Sequence, residues 1–343
     1  MLAPAESRRN PVFCPCHAMR TKVLCLWISY GIDRVRPLKI AIGSTGLTKP
    51  IIDGSVQPDG LELQYVQVDP ITSAFRRMVR NLEFDICEMA LSTYLSAKSF
   101  GKPISAIPVF LKRSFHHGSI VCNVNSGIKT PKDLEGRTVG VNRGYTVTTG
   151  LWARGILHAE YGVDLKTITW AATDDEHVAE YRAPANVDYS LRGKSITDLL
   201  RSGIGAAVGD LRPDPPDIQR LIPDARAAGF AYFRKTGVYP INHALVVKDS
   251  LLTEEPQLAQ ALFRAFQKAK KIYLAHLAAG QNLSGADETV IANMQVVGDP
   301  LSFGVGANRK AIETIVQFAV DQQIIPNAFR PEDLFPANTL DLE

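Results

Sequence analysis

The chain has 343 residues, enough for about two domains at roughly 150 residues each, with 45% apolar and 21% charged side chains and a net charge of +3. That composition excludes a disordered or fibrous protein. The charge is uneven, +4 over the first 37 residues and −1 over the rest, so the body lacks the basic surface that nucleic acid requires and none is expected as a partner.

Five cysteines do not make a disulfide framework. Cys14, Cys16 and Cys25 lie in the leader, whereas Cys87 and Cys122 lie in apolar runs and should behave as small buried hydrophobes. Cys14-Pro15-Cys16-His17 is followed by no second ligand pair at zinc spacing. No metal site and no cofactor is therefore assigned, and a divalent metal is left open. Arg20 and Lys22 precede the apolar run Val23–Ile28, the pattern of a signal-peptide core. No small-x-small cleavage site follows it, and it is too short to span a bilayer. The expected location is cytoplasmic, or periplasmic if the leader works as an export signal. Residues 1–36 are set aside as an extension outside the fold.

The body opens with a strand at 38–43 and a small polar turn, Ser44-Thr45-Gly46. Residues 61–68 alternate as a second strand, and Phe75, Met78, Val79 and Leu82 mark a helix starting at Thr72. Phe84–Cys87 reads as a strand, then a helix capped by Ser92 and ended by Gly101. Two strands, 104–110 and 119–123, flank the elbow Arg113–Gly118. Thr130, Pro131 and Asp133 make a helix start, and 137–141 is a strand. Its loop, Asn142–Thr146, feeds a helix carrying Leu151, Trp152, Ile156, Leu157 and Tyr161. A helix at 196–200, a strand at 206–209, a Pro-rich loop at 212–217 and a strand at 244–247 follow. One long helix from Thr253 to about Ala279 and another from Asn308 complete the order.

This alternation predicts an α/β protein of two lobes, each a mostly parallel sheet flanked by helices. Lobe 1 is expected to be discontinuous, 37–120 plus 245–343, with lobe 2 at 121–244. Hinged lobes place the ligand in the cleft between them.

Several residues carry chemistry. The helix start Tyr145–Thr149 gathers hydroxyls, among them Thr146 and Thr148, and free N–H groups at a positive dipole end, a seat for a carboxylate. Arg143 adds a cation that can pair two-pronged, and Asn142 adds an amide. The elbow Lys112–His117 brings Arg113, His116 and His117 beside the hinge. Adjacent histidines on a strand point to opposite faces, so at most one should face the cleft. Glu88 stands where a strand meets a helix, the ligand edge of an open sheet. Buried there it would have a raised pKa for proton delivery, or serve as a structural carboxylate accepting loop amides. His243 enters the return strand and can face the same cleft or pack as a core residue. Asp210 ends the strand at 206–209 on the opposite lip, and Ser44 and Thr45 complete the ligand contacts. Gly-x-Gly-x-x-Gly, Walker, His-Glu-x-x-His and Gly-x-Ser-x-Gly motifs are absent from the sequence.

Thr130–Val141 resembles the segment opening the second lobe of type II periplasmic-binding-protein folds, especially nitrate/taurine-type solute binders. Phe84–Lys98, Ile107–Phe110 with Arg113, Gly144–Gly155 and Tyr239–His243 resemble the 4,5-dihydroxyphthalate decarboxylase family, and the likeness spans about 38–335. It implies a carboxy-lyase converting 4,5-dihydroxyphthalate to protocatechuate and CO2 without redox chemistry. The partner is then a small aromatic dicarboxylate, and a homo-oligomer is left open. Chemistry assigns carboxylate binding to Arg113 and Tyr145–Thr148, proton handling to His116 or His117, and orientation of the catechol to Glu88 with His243. The competing class is a solute-binding protein of an ABC-type uptake system for an aromatic or sulfonate-like anion, and the third a ligand sensor, for which no DNA-binding helix pair is evident.

Overall fold

The computed structural model describes residues 37–214 and 216–343; the leader readings on Cys14, Cys16, His17 and 20–28 lie outside the described residues. Residues 36–343 form one compact unit. The strands are β1 Leu38–Ala41, β2 Leu63–Tyr65, β3 Ile86–Ala90, β4 Ile104–Arg113, β5 Ile120–Asn123, β6 Thr138–Val141, β7 Thr169–Ala172, β8 Val187–Asp188, β9 Ala206–Val208, β10 Ile218–Arg220 and β11 Ile241–Lys248. The helices are α1 Lys49–Ile52, α2 Thr72–Asn81, α3 Leu91–Ser99, α4 Thr148–Tyr161, α5 Ile196–Ser202, α6 Ala225–Thr236, α7 Asp249–Glu254, α8 Leu258–Ala279, α9 Gly285–Val297 and α10 Arg309–Asp321.

Two sheets organise them, in the orders β2-β1-β3-β11-β4 and β10-β5-β9-β6-β7-β8. The fold is the expected two-lobed α/β clamp. In the first sheet β2, β1 and β3 run parallel, while the return strand β11 enters between β3 and β4 antiparallel to both. The second sheet is parallel through β9-β6-β7-β8. Strand β11 is buried through Val247, and its Ala244–Val247 part reads as an apolar run.

Local chemistry explains the remaining differences from the sequence reading. The capping box of Thr130 and Asp133 forms, but only one 3-10 turn follows it: Glu135 is already extended (φ −60, ψ 137), and Gly136 continues at φ +73. Pro256 divides the expected long helix into α7 and α8. Ala90, not Ser92, is the N-cap of α3, and Ser92 turns its hydroxyl onto the carbonyl of Thr146 at 2.5 Å. Strands β7, β8 and β10 and helices α6 and α9 carry too little periodicity to stand out. Cys87 and Cys122 are free and buried.

Helix α2 buries Ala74, Phe75, Met78 and Val79 and keeps its arginines on the other face. Arg80 there donates to the carbonyls of Glu176 (2.7 Å) and His177 (3.0 Å), and Arg76 to that of Asp175 (2.8 Å). Thus a helix of the first lobe grips the 174–177 loop of the second.

Candidate active site

The loop ends of both sheets meet at one edge. Strand register places His243 opposite Ala90 on one side and Lys112 on the other, and Leu245 opposite Glu88. Glu88 and His243 are therefore diagonal neighbours, both buried, and His243 Nδ1 lies 2.5 Å from Glu88 Oε1. The other carboxylate oxygen accepts the Gly43 N–H at 2.8 Å.

The protonation of this pair follows from opposing effects. Burial pushes the Glu88 pKa up, but the His243 hydrogen bond, the Gly43 N–H and nearby Lys112 outweigh it and leave the group below the usual carboxylate range. This corrects the expectation of a raised pKa. Burial pushes His243 down, Glu88 pulls it back up, and Lys112 and Arg143 push it down further, so the net shift is downward. The free site thus holds a carboxylate accepting from a neutral imidazole, and Nε2 keeps its lone pair. Nε2 makes no hydrogen bond to any described residue. Phe75 packs edge-on against this ring at 5.0 Å and against His177 at 6.1 Å.

Two cations flank the imidazole without protein partners. The exposed Lys112 ammonium and the half-buried Arg143 guanidinium form no ion pair or hydrogen bond among the described residues. Both depress His243, one from each lobe. Arg143 has φ +74, a strained conformation for a non-glycine residue. Its N–H is held by Thr173 Oγ1 at 2.9 Å. Asn142 Nδ2 donates to the Asp210 carbonyl (2.9 Å); burial lowers the Arg143 pKa, and the exposed Asp210 carboxylate offsets part of that.

The carboxylate seat expected at the start of α4 is filled from within. Glu176 accepts the Tyr145 N–H (2.6 Å), the Thr146 N–H (3.0 Å), the Thr146 hydroxyl (2.5 Å) and the Tyr189 hydroxyl (2.7 Å). Gly144 permits this, because a Cβ there would lie 2.8 Å from Glu176 Oε2. Tyr145, Thr146 and Thr148 are buried, and Thr148 Oγ1 bonds Ser92 Oγ at 2.7 Å. The amides involved, those of Tyr145 and Thr146, precede the N-cap Val147, and the anion they take is the chain's own. Glu176→Ala would leave four donors unsatisfied and should cost roughly 3 kcal/mol or more. Millimolar formate should raise the melting temperature of that variant and leave the parent unchanged; equal responses would contradict the assignment.

Arg113 is also committed internally. It donates to Ser302 Oγ and Asn308 Oδ1, both at 2.7 Å, and to the Tyr239 carbonyl at 2.7 Å. Burial lowers its pKa to about 10. It ties the end of β4 to Tyr239 and to the 302–308 segment, with both terminal nitrogens of its fork engaged there. His116 donates toward Asn242 Oδ1 (3.1 Å) and stacks on Trp152. His117 is fully buried with Nε2 on Glu160 at 2.6 Å. Neither imidazole shares the Glu88–His243 dyad. Ser44 and Thr45 are exposed just beyond Gly43, with Thr45 Oγ1 on Thr48 Oγ1 at 3.0 Å. Three residues escaped the sequence reading: Lys112, which adjoins the elbow residues, and Glu176 and His177, which sit in Thr173–Val178, a segment without periodicity or motif.

Burial holds the His116 and His177 pKa values at about 3. Unfolded imidazoles protonate near 6.5, so stability is full above that pH and is lost as pH falls below it. The loss is on the order of 1 kcal/mol per pH unit for each histidine. Calorimetric melting temperatures should drop between pH 7 and 5, and the double variant His116→Gln/His177→Gln should flatten that slope. A flat profile in the parent would contradict their neutral burial.

Among the described residues no three His, Cys, Asp or Glu side chains group to hold a metal ion, and no helix is long and apolar enough to cross a membrane. The fold resembles the periplasmic aliphatic sulphonate binding protein SsuA of Escherichia coli, with TM-score 0.50 and 14% identity over 89% of this chain and 99% of that one. The profile described as NMT1/THI5 like matches residues 57–278. A curated relative named 4,5-dihydroxyphthalate decarboxylase from Comamonas testosteroni is 29% identical, covering 89% of this chain and 97% of the relative. Another of that name from Pseudomonas putida is 30% identical over 57% of this chain and 81% of the relative. The chain therefore belongs to the NMT1/THI5-like family and, within it, to the family of the 4,5-dihydroxyphthalate decarboxylases.

Proposed function

We propose that this protein decarboxylates a dihydroxylated phthalate, 4,5-dihydroxyphthalate to protocatechuate and CO2, at the Glu88–His243 dyad. The observation that carries this reading is a pair of unpartnered cations, Lys112 and Arg143, one from each lobe, flanking a neutral imidazole braced by a carboxylate. Two such cations match two carboxylates on one small ring.

Binding then arms the acid. In the free site burial keeps His243 neutral, and Lys112 and Arg143 add to that effect. A dianion neutralises both, the imidazole takes a proton, and Glu88 stabilises the imidazolium. His243 delivers that proton to the ring carbon bearing the leaving carboxylate. The new C–H bond uses a ring π pair, and the positive charge spreads onto the para hydroxyl oxygen. The carbon–carboxylate bond breaks, its electrons restore the aromatic ring, and CO2 leaves. Each turnover consumes one proton, which solvent returns to His243. Grip on the retained carboxylate can persist, whereas grip on the leaving one has to weaken in the transition state.

Incubating the purified protein with 4,5-dihydroxyphthalate should release protocatechuate and CO2 in equal amounts. Tight binding of the dicarboxylate with no CO2 would overturn the reading and favour a solute-binding role.

A further inference from the structure

A cavity of about 840 Å³ reaches Lys112, the strand neighbour of His243, while Glu88, His243 and Arg143 themselves stay outside its lining. Its walls begin at the two chain segments that build the site. Lys112 lines it, as do Ser44 and Thr45, which directly follow the Gly43 that holds Glu88. The rest of the lining is mainly apolar and aromatic, with Phe110, Leu111, Tyr239, Tyr273 and Val290 prominent.

The polar groups on this wall sort by charge. Asp53 is engaged by the Ser55 N–H and hydroxyl, and Asp287 by the Tyr273 hydroxyl and by Ser284. Lys49 and Lys112 have no hydrogen bond or ion pair through their ammonium groups among the described residues. Arg113 also lines the cavity, and its Nε is buried without a partner among the described residues. Through Lys49 and Lys112, and not through the internally bound Arg113, the wall therefore offers free positive charge beside apolar surface. Ile272, on the same lining, is 49% exposed. The wall is also fixed: at Gly46 a Cβ would fall 2.1 Å from the Tyr273 ring, so the loop and α8 are in direct contact.

A single benzene ring with two carboxylates, gripped between Lys112 and Arg143, would meet this cavity only at Lys112 and leave its volume empty. Ligand pockets of roughly 300–1,000 Å³ usually bury most of a larger ligand against apolar walls. We infer that the cavity seats an aryl extension of the substrate, and that the favoured substrate class is a catechol dicarboxylate bearing a second ring. This inference rests on the decarboxylase reading.

The test compares 4,5-dihydroxyphthalate with the same molecule carrying a phenyl group at ring position 3, by titration calorimetry and by CO2 release. The phenyl compound should bind at least tenfold more tightly than the parent compound. Ala286→Trp, an exposed lining position away from the dyad, should remove that advantage and leave binding of the parent compound within about twofold. Equal or weaker binding of the phenyl compound by the unaltered protein would overturn the inference, as would an advantage that survives Ala286→Trp. The phenyl advantage without CO2 from either compound would support the cavity assignment and overturn the decarboxylase reading instead.

Discussion

His243→Gln should lower kcat for dihydroxyphthalate by roughly 10²–10⁴-fold while leaving dicarboxylate affinity within a few fold. The imidazole supplies the proton, and general acid catalysis by a positioned side chain contributes about 10²–10⁴-fold. The cations that bind the ring remain in place. Glu88→Gln tests a finer point, because its effect depends on pH. The Glu88 hydrogen bond and charge both raise the His243 pKa. Removing the charge makes the imidazolium harder to form, so kcat should fall about 10²-fold or more near pH 7. The limb on which activity declines with rising pH should move to lower pH, since the acid form of His243 now persists only there. A pH-rate profile that only loses height, or that shifts toward alkaline pH, would contradict the assignment of Glu88.

Arg143→Met and Lys112→Met should each raise the KM for the dicarboxylate, by roughly 10- to 150-fold if each removes one charge-assisted pair. The double variant should bind the dianion at barely measurable strength. Their effects on His243 also have a sign. Both cations depress its pKa in the free protein, so either substitution should make His243 easier to protonate before substrate arrives, visible as an upward shift of its NMR titration. The Lys112 effect should weaken in high salt more than that of Arg143, because Lys112 is exposed and Arg143 half-buried. Unchanged KM in Arg143→Met would remove the second lobe from ligand binding.

The sequence showed elements and chemistry better than it showed partners. Phe75, Met78 and Val79 reveal α2 because one face of it is buried. The apolar run of β11 reveals a central strand. What the chain could not show is which charge goes to which. The cluster Tyr145–Thr148 does attract an anion, but nothing local says that Glu176, 31 residues beyond Tyr145, supplies it. Arg113 looks like a ligand cation until the C-terminal segment brings Ser302 and Asn308 against it. Glu88 and His243 are 155 positions apart, and only the antiparallel entry of β11 beside β3 makes them a dyad. Lys112 stood next to the residues singled out in the elbow. Its lack of a protein partner, visible only in three dimensions, is what marks it.

Proton uptake on binding tests the coupling between charge and acid most directly. Phthalate, which lacks the hydroxyl groups, should bind by calorimetry near pH 7 with an enthalpy that depends on buffer ionisation and corresponds to about one proton taken up. His243→Gln should abolish that dependence while still binding. Binding with no proton uptake, or uptake that persists in His243→Gln, would contradict the account.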